Sequence, residues 1–197
     1  MTPRRARDKE QTIEDILIAA RNLFSEKGLH GTSIRDIENA SGVSKGLILY
    51  HFENKEKLYG AVKEQLVKEY TSELLRSRQE SKNLPDSIQS AVQASFQHTR
   101  TGRDFQRISL WSYLEGQEES SEIEEKFTQG LIEMMRSGQE AGLLRDDIDP
   151  FVMPFIIKGT IEYWIRKEQL IRALDQDVDF ETCQQNLLDA LSKLFLK

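Results

Sequence analysis

The sequence predicts an all-α fold. Apolar residues recur at helical spacing along nearly the whole chain, and no alternating run is long enough for a strand. Only four prolines, at positions 3, 85, 150 and 154, interrupt it. At 197 residues the chain has room for one sizeable core, or for a small domain attached to a larger one. No apolar run approaches the roughly 18 residues that would suggest a membrane span, so no membrane partner is expected. The basic start, MTPRRARDKEQ, has no apolar segment behind it, and the single cysteine, Cys183, cannot close an internal disulfide. Together these features predict a cytoplasmic protein.

The elements follow in order. Ile13, Ile16, Leu17, Ala20, Leu23 and Phe24 make the stripe of a first helix, stopped at Gly28. Ser33 is placed to cap a second, with Asp36 three residues on as its capping-box partner. That helix ends near Ala40, before Ser41 and Gly42. Ser44 caps a third, running to about His51, and Asn54 caps a fourth that carries Leu58, Val62, Leu66 and Tyr70 on one face. The polar stretch SRQESKNLPDS breaks the pattern, with Pro85 suited to a first helical turn. Further helices are predicted over 85–101, 103–115, 120–141, 149–172 and 179–196. In PFVMPFIIKGTIEYWI, 150–165, apolar residues cover nearly the whole circumference. Such a helix is covered on more than one side, either by a second subunit or as the central core helix of a monomer.

Residues 33–55 carry the most information. Two helices of seven or eight residues are too short to stand alone in water, so they must be held by packing. Ile34, Ile37, Val43, Leu47 and Ile48 supply the apolar positions for this, and Gly42 sits in the bend. Two short helices around a glycine-bearing turn, the second presented outward, make a helix-turn-helix, whose second helix enters the DNA major groove. Ser44 and Lys45 open that helix, where base edges are met, and Gly46 lets the backbone come close. Tyr50, His51 and Lys55 can donate to phosphate oxygens. The whole chain has a net charge of −6, yet residues 1–60 hold 10 Lys/Arg and 9 Asp/Glu. Arg4, Arg5, Arg7 and Lys9 form a basic arm at the head, so the charge distribution is compatible with a DNA-facing end.

The stretches AARNLFSEKGLHGTSIRDI, SGVSKG and LYHFENKEKL resemble the DNA-binding domain of the TetR/AcrR family of bacterial transcriptional regulators. The resemblance covers about a third of the chain; the remainder is similar in length and helical content. It implies a ligand-responsive homodimeric repressor, with the third helix of each subunit on a palindromic double-stranded DNA operator and a small-molecule effector that releases it. It also implies roles for individual residues. Ser33 would cap the second helix at a phosphate, and Arg35 would reach the groove. Ser44, Lys45 and Leu47 would face bases, while Tyr50, His51 and Lys55 would hold the backbone. Leu49 stands where the family often has tyrosine, and Glu38 where it usually has a small alanine.

The expected organisation is therefore all-α with two parts. Residues 1–56 form an N-terminal three-helix helix-turn-helix DNA-binding domain with its basic arm. Residues 57–197 form a larger helical effector-binding and dimerisation domain. Phe96, Phe105, Trp111, Met134, Phe155 and Tyr163 are the candidates for an effector pocket, although aromatic and methionine residues at helical spacing also build plain core. Lys158, Glu162, Arg166 and Gln169 form a polar row that puts Glu162 on a solvated face, and His98 is expected to be partly exposed. With no nucleophile, phosphate-loop or metal-ligand pattern, neither an enzyme nor a cofactor is expected. A dimeric scaffold whose hairpin head binds another protein is the alternative.

Overall fold

The computed structural model describes residues 3–79, 81–174 and 179–197, with side chains from residue 9 onward. The arm cations Arg4, Arg5 and Arg7 therefore lie outside the described side chains. Among the described residues there are ten helices and no strand. They are α1 Pro3–Lys27, α2 Ile34–Ser41, α3 Lys45–Phe52, α4 Lys55–Gln79, α5 Leu84–Thr101, α6 Arg103–Leu114, α7 Glu122–Glu140, α8 Met153–Arg166, α9 Glu168–Leu174 and α10 Phe180–Lys193.

The chain forms two compact units. The first comprises Met1–Val67 and Gly102–Ser120, the second Lys68–Thr101 and Ser121–Lys197. The contacts thus draw the line differently from a cut at residue 56: the start of α4 and all of α6 join the three N-terminal helices. The reason is the first core. Ile16, Ala20 and Phe24 of α1, Ile37 of α2, Ile48 of α3, Leu58, Val62 and Leu66 of α4, and Ile108 of α6 are all buried in one cluster. Phe24 meets the edge of Tyr59 at 4.9 Å, and the Tyr59 hydroxyl lies 3.0 Å from the Ser112 hydroxyl. Each eight-residue helix, α2 and α3, contributes one fully buried isoleucine to this cluster, which is how helices too short to persist alone are held.

In the second unit, Ile88, Val92 and Phe96 of α5 pack with Met135 of α7, Met153 and Ile161 of α8, Leu188 and Leu191 of α10, and Phe195. A Cβ on Gly138 would stand 2.6 Å from Leu84 and 2.8 Å from Leu144, so α7 meets its neighbours closely there. The chain end is tied to the segment after α7 by Arg145 N–H donating to Phe195 O and Lys197 N–H donating to Leu143 O.

The helix predicted over 149–172 is two. Asp149 organises a turn, accepting from Phe151 N–H and Val152 N–H, and α8 begins at Met153 with Pro154 in its first turn. Helix α8 then closes at Lys167, whose N–H reaches both Tyr163 O and Trp164 O, and α9 restarts beyond it. The apolar circumference of this region divides in two. Met153 and Ile161 are buried, while Phe151, Val152, Phe155, Ile156 and Tyr163 are exposed.

Candidate nucleic-acid interface

Local chemistry fixes the helix-turn-helix. Gly28, with φ +71°, takes the chain out of α1 in the left-handed region. Ser33 and Asp36 then make a reciprocal box. Asp36 N–H donates to Ser33 Oγ at 3.1 Å, and the Asp36 carboxylate accepts from Ser33 N–H at 2.9 Å and from the Ser33 hydroxyl at 2.6 Å. The bonds from Ser33 hold the Asp36 carboxyl below its ordinary value. Gly42, at φ +72°, ends α2, and Ser44 caps α3.

Glu38 supplies a feature the sequence did not reveal. Its Oε1 accepts from Lys45 N–H at 2.8 Å, so the larger side chain in place of alanine ties α2 to the first residue of α3. Its carboxylate charge also suits a helix N-terminus.

The predicted DNA-facing residues lie largely in the open. Ser33, Arg35, Ser44, Lys45, Gly46 and Leu47 are exposed, and Tyr50 is exposed at 76 %. A Cβ added at Gly46 would meet nothing within 4 Å, so no contact within the chain requires glycine there. His51 is half-buried, with its ring 5.2 Å from Tyr50 and 6.4 Å from Phe52. Leu49 is half-buried rather than presented. Helix α3 ends at Glu53, which is at φ 62° and is the one described non-glycine residue with positive φ. Asn54 Oδ1 then caps α4 by accepting from Lys57 N–H.

Lys55, read as a phosphate donor, is half-buried and also bonded within the chain. Its Nζ donates to Leu29 O at 2.7 Å and Thr32 O at 2.8 Å, which leaves one of three ammonium donors. Its first partners are carbonyls of the segment that joins α1 to α2.

Helix α6 holds α1, and its C-cap residue Glu115 reaches the same segment. Asp104 pairs with Arg21. Burial pushes the Asp104 carboxyl up, but Arg21 and the N–H of Phe105 together hold it below its ordinary value. Arg107 Nε donates to Ser25 O at 2.6 Å, and Trp111 Nε1 to the same oxygen at 3.3 Å. The Glu115 carboxylate accepts from Leu29 N–H at 2.9 Å and His30 N–H at 3.0 Å. Positions 104, 107, 111 and 115 are spaced by three, four and four, a helical row that the sequence contained but that nothing local marked as facing α1.

The six proposed pocket residues are divided between the two units. Both Phe105 and Trp111 belong to the first unit, Phe105 packed against its core and Trp111 donating to Ser25 O of α1. Phe155 and Tyr163 are exposed. Phe96 lies in the second core and Met134 packs against that core. Helical spacing cannot separate these environments, because core, surface and cavity all admit aromatic residues. A polar group was missed instead. The Tyr70 hydroxyl lies 3.0 Å from that of Ser95, and His98 Nδ1 lies 2.7 Å from Glu73 Oε2, with the Tyr70 and His98 rings 5.2 Å apart. His98 is more enclosed than expected, its side chain 13 % exposed. Glu162 lies on the outer row as read, 3.9 Å from Arg166.

No group of three or more His, Cys, Asp or Glu placed to hold a metal occurs among the described residues. No described helix is long and apolar enough to cross a membrane.

Comparison with known proteins agrees with this geometry. Residues 16–62 match the bacterial regulatory proteins of the tetR family, and residues 88–190 match the tetracyclin repressor-like C-terminal domain. The chain is 44% identical over 73 residues to the HTH-type transcriptional repressor Rv3405c of Mycobacterium tuberculosis, covering 34% of this chain and 39% of that protein. It is 42% identical over 66 residues to the HTH-type transcriptional regulator RutR of Escherichia coli, covering 34% and 31%. The chain thus spans about two fifths or less of the lengths of these relatives. A TetR family transcription regulator from Marinobacter aquaeolei VT8 superposes with a TM-score of 0.76 over 98% of this chain and 99% of its own; at 16% identity, that likeness speaks to the fold.

Proposed function

Since the chain belongs to the TetR family of bacterial regulatory proteins, we propose that it is a transcriptional repressor that binds a palindromic operator as a homodimer and is released by a small-molecule effector. The observation that carries this reading is the outward face of α3. Lys45, Gly46, Leu47 and Tyr50 stand exposed on a helix whose only fully buried side chain is Ile48. Lys45 and Leu47 meet base edges, joined by Ser44 at the helix start and by Arg35 from α2. Tyr50, His51 and the remaining donor of Lys55 meet phosphates. Ser33, its hydroxyl engaged by Asp36, brings the N-terminus of α2 to a phosphate.

Dimerisation is supported by the second unit. Phe151, Val152, Phe155, Ile156 and Tyr163 leave an apolar face uncovered on and before α8, and Phe151 and Phe155 lie 5.5 Å apart. A second copy covers that face. The effector is read in the second unit, where Phe96 and Met134 and the Tyr70–Ser95–His98–Glu73 group are candidates.

The test is to select duplexes from fragments of the source genome with the purified protein, then footprint those retained. A palindrome with half-sites about one helical turn apart supports the reading. No enrichment at low salt, from a folded dimer, favours the protein-binding scaffold.

A further inference from the structure

The segment 28–33 between α1 and α2 has its backbone held by side chains from three directions. The Glu115 carboxylate takes the N–H groups of Leu29 and His30, one on each oxygen. The Lys55 ammonium takes the carbonyls of Leu29 and Thr32. The Thr32 hydroxyl donates to Gly28 O at 2.8 Å. Space is equally restricted. A Cβ at Gly28 would stand 2.6 Å from Glu115 Oε1, and one at Gly31 would stand 2.2 Å from Lys27 O. Five backbone groups of this turn, the N–H of Leu29 and His30 and the carbonyls of Gly28, Leu29 and Thr32, thus have side-chain partners. The turn ends on Ser33, the cap of α2, and so sets the start of the helix that carries Arg35 and, through Glu38, meets Lys45.

We infer that Glu115 and Lys55 are a pair of positioning residues for DNA binding: an anion and a cation that grip opposite polar groups of the α1–α2 turn and fix the presentation of α2 and α3. The inference rests on the reading of the first unit as the DNA-binding one. It explains why a carboxylate stands near a surface meant for phosphates. Glu115 supplies two charged acceptor oxygens, one for each N–H, which no amide or hydroxyl side chain can match. It also gives a prediction whose sign separates it from bulk electrostatics. Removing an anion from a DNA-binding unit should by charge alone tighten binding. If Glu115 positions the turn, the same change weakens it, because a pre-set conformation is lost.

The experiment measures affinity for a duplex recovered from a random-sequence pool by the unchanged protein. Glu115→Gln, Arg35→Ala and the double variant are compared, with folding of each verified by circular dichroism at the assay temperature. Glu115→Gln is expected to weaken binding about tenfold, the scale of a charge-assisted hydrogen bond lost. Because both changes act through α2, the double variant should lose clearly less than the product of the two single losses. Equal or tighter binding by Glu115→Gln overturns the inference, and so do losses that simply multiply. Should Glu115→Gln fail to fold, Lys55→Met enters the same cycle and is judged on whether its loss multiplies with that of Arg35→Ala. If the unchanged protein retains no duplex, the DNA-binding reading itself falls and this inference with it; if it binds but the losses multiply, only the inference falls.

Discussion

The ring of Trp111 closes the space beside Gly28: a Cβ on Gly28 would lie 2.8 Å from Trp111 Cε3, with Glu115 Oε1 nearer still at 2.6 Å. The glycine is thus required twice, by its φ of +71° and by its neighbour from α6. Gly28→Ala should therefore destabilise the first unit by about 2–5 kcal/mol, combining left-handed strain of about 1–2 kcal/mol with an overpacking cost of about 1–3. Denaturant unfolding followed by Trp111 fluorescence, with Trp164→Phe in both proteins compared, measures this. A loss below about 1 kcal/mol would mean that α6 moves aside freely.

Lys45→Ala and Tyr50→Ala should leave stability unchanged, since both side chains are exposed. Each should weaken binding to a selected duplex on the order of tenfold. If Lys45 neutralises a phosphate as well as meeting a base, its variant also shows a salt slope reduced by about one. Titrations at several salt concentrations check both, and unchanged affinity for either variant removes that residue from the interface.

The capping box gives a pH dependence of known sign. The Asp36 carboxyl is held below its ordinary value near 3.8 by its bonds from Ser33. A folded value lower than the unfolded one contributes stability above the unfolded value, and that contribution fades as pH falls through the folded one. Asp36→Asn should accordingly flatten the acid limb of a stability profile below about pH 4 and change its shape little near neutrality. A variant with the same acid limb as the unchanged protein would show that the box does not titrate with folding.

On the proposal that a second copy covers α8, Phe151→Ser with Phe155→Ser should yield a monomer at micromolar concentration while leaving the core of the second unit intact, since both rings are exposed in the single chain. Sedimentation velocity reads the first point and near-ultraviolet circular dichroism the second. A double variant that remains dimeric places the interface elsewhere.

What could be read from the sequence was local. Gly28 as a stop, the Ser33–Asp36 box, Ser44 before α3 and Asn54 before α4 all depend on residues within four of one another, and the structure has each of them. Relations across the chain were not legible. Lys55 reaches back 26 residues to Leu29, and Glu115 reaches back 86, and neither contact leaves a periodic trace. Glu38 was visible as an unusual side chain, but its bond to Lys45 depends on the angle between two helices. The break at Lys167 had no proline or glycine to announce it. The aromatic residues assigned to a pocket went to three environments for the reason already given: spacing alone does not say which neighbour an apolar side chain will meet.

The return of Gly102–Ser120 to the first unit has a consequence for the order in which the nascent chain can fold. When residue 67 leaves the ribosome, Phe24, Tyr59 and Leu66 are present but Ile108 is not, and the Tyr59 hydroxyl has no Ser112 to meet. At synthesis rates of about 5–20 residues per second, the earlier segment waits several seconds for its last helix. During that interval α2 and α3 lack part of the core that holds them. Translation-arrested chains ending near residue 100 should be cut by protease within the first 67 residues, and chains long enough to expose residue 120 should resist.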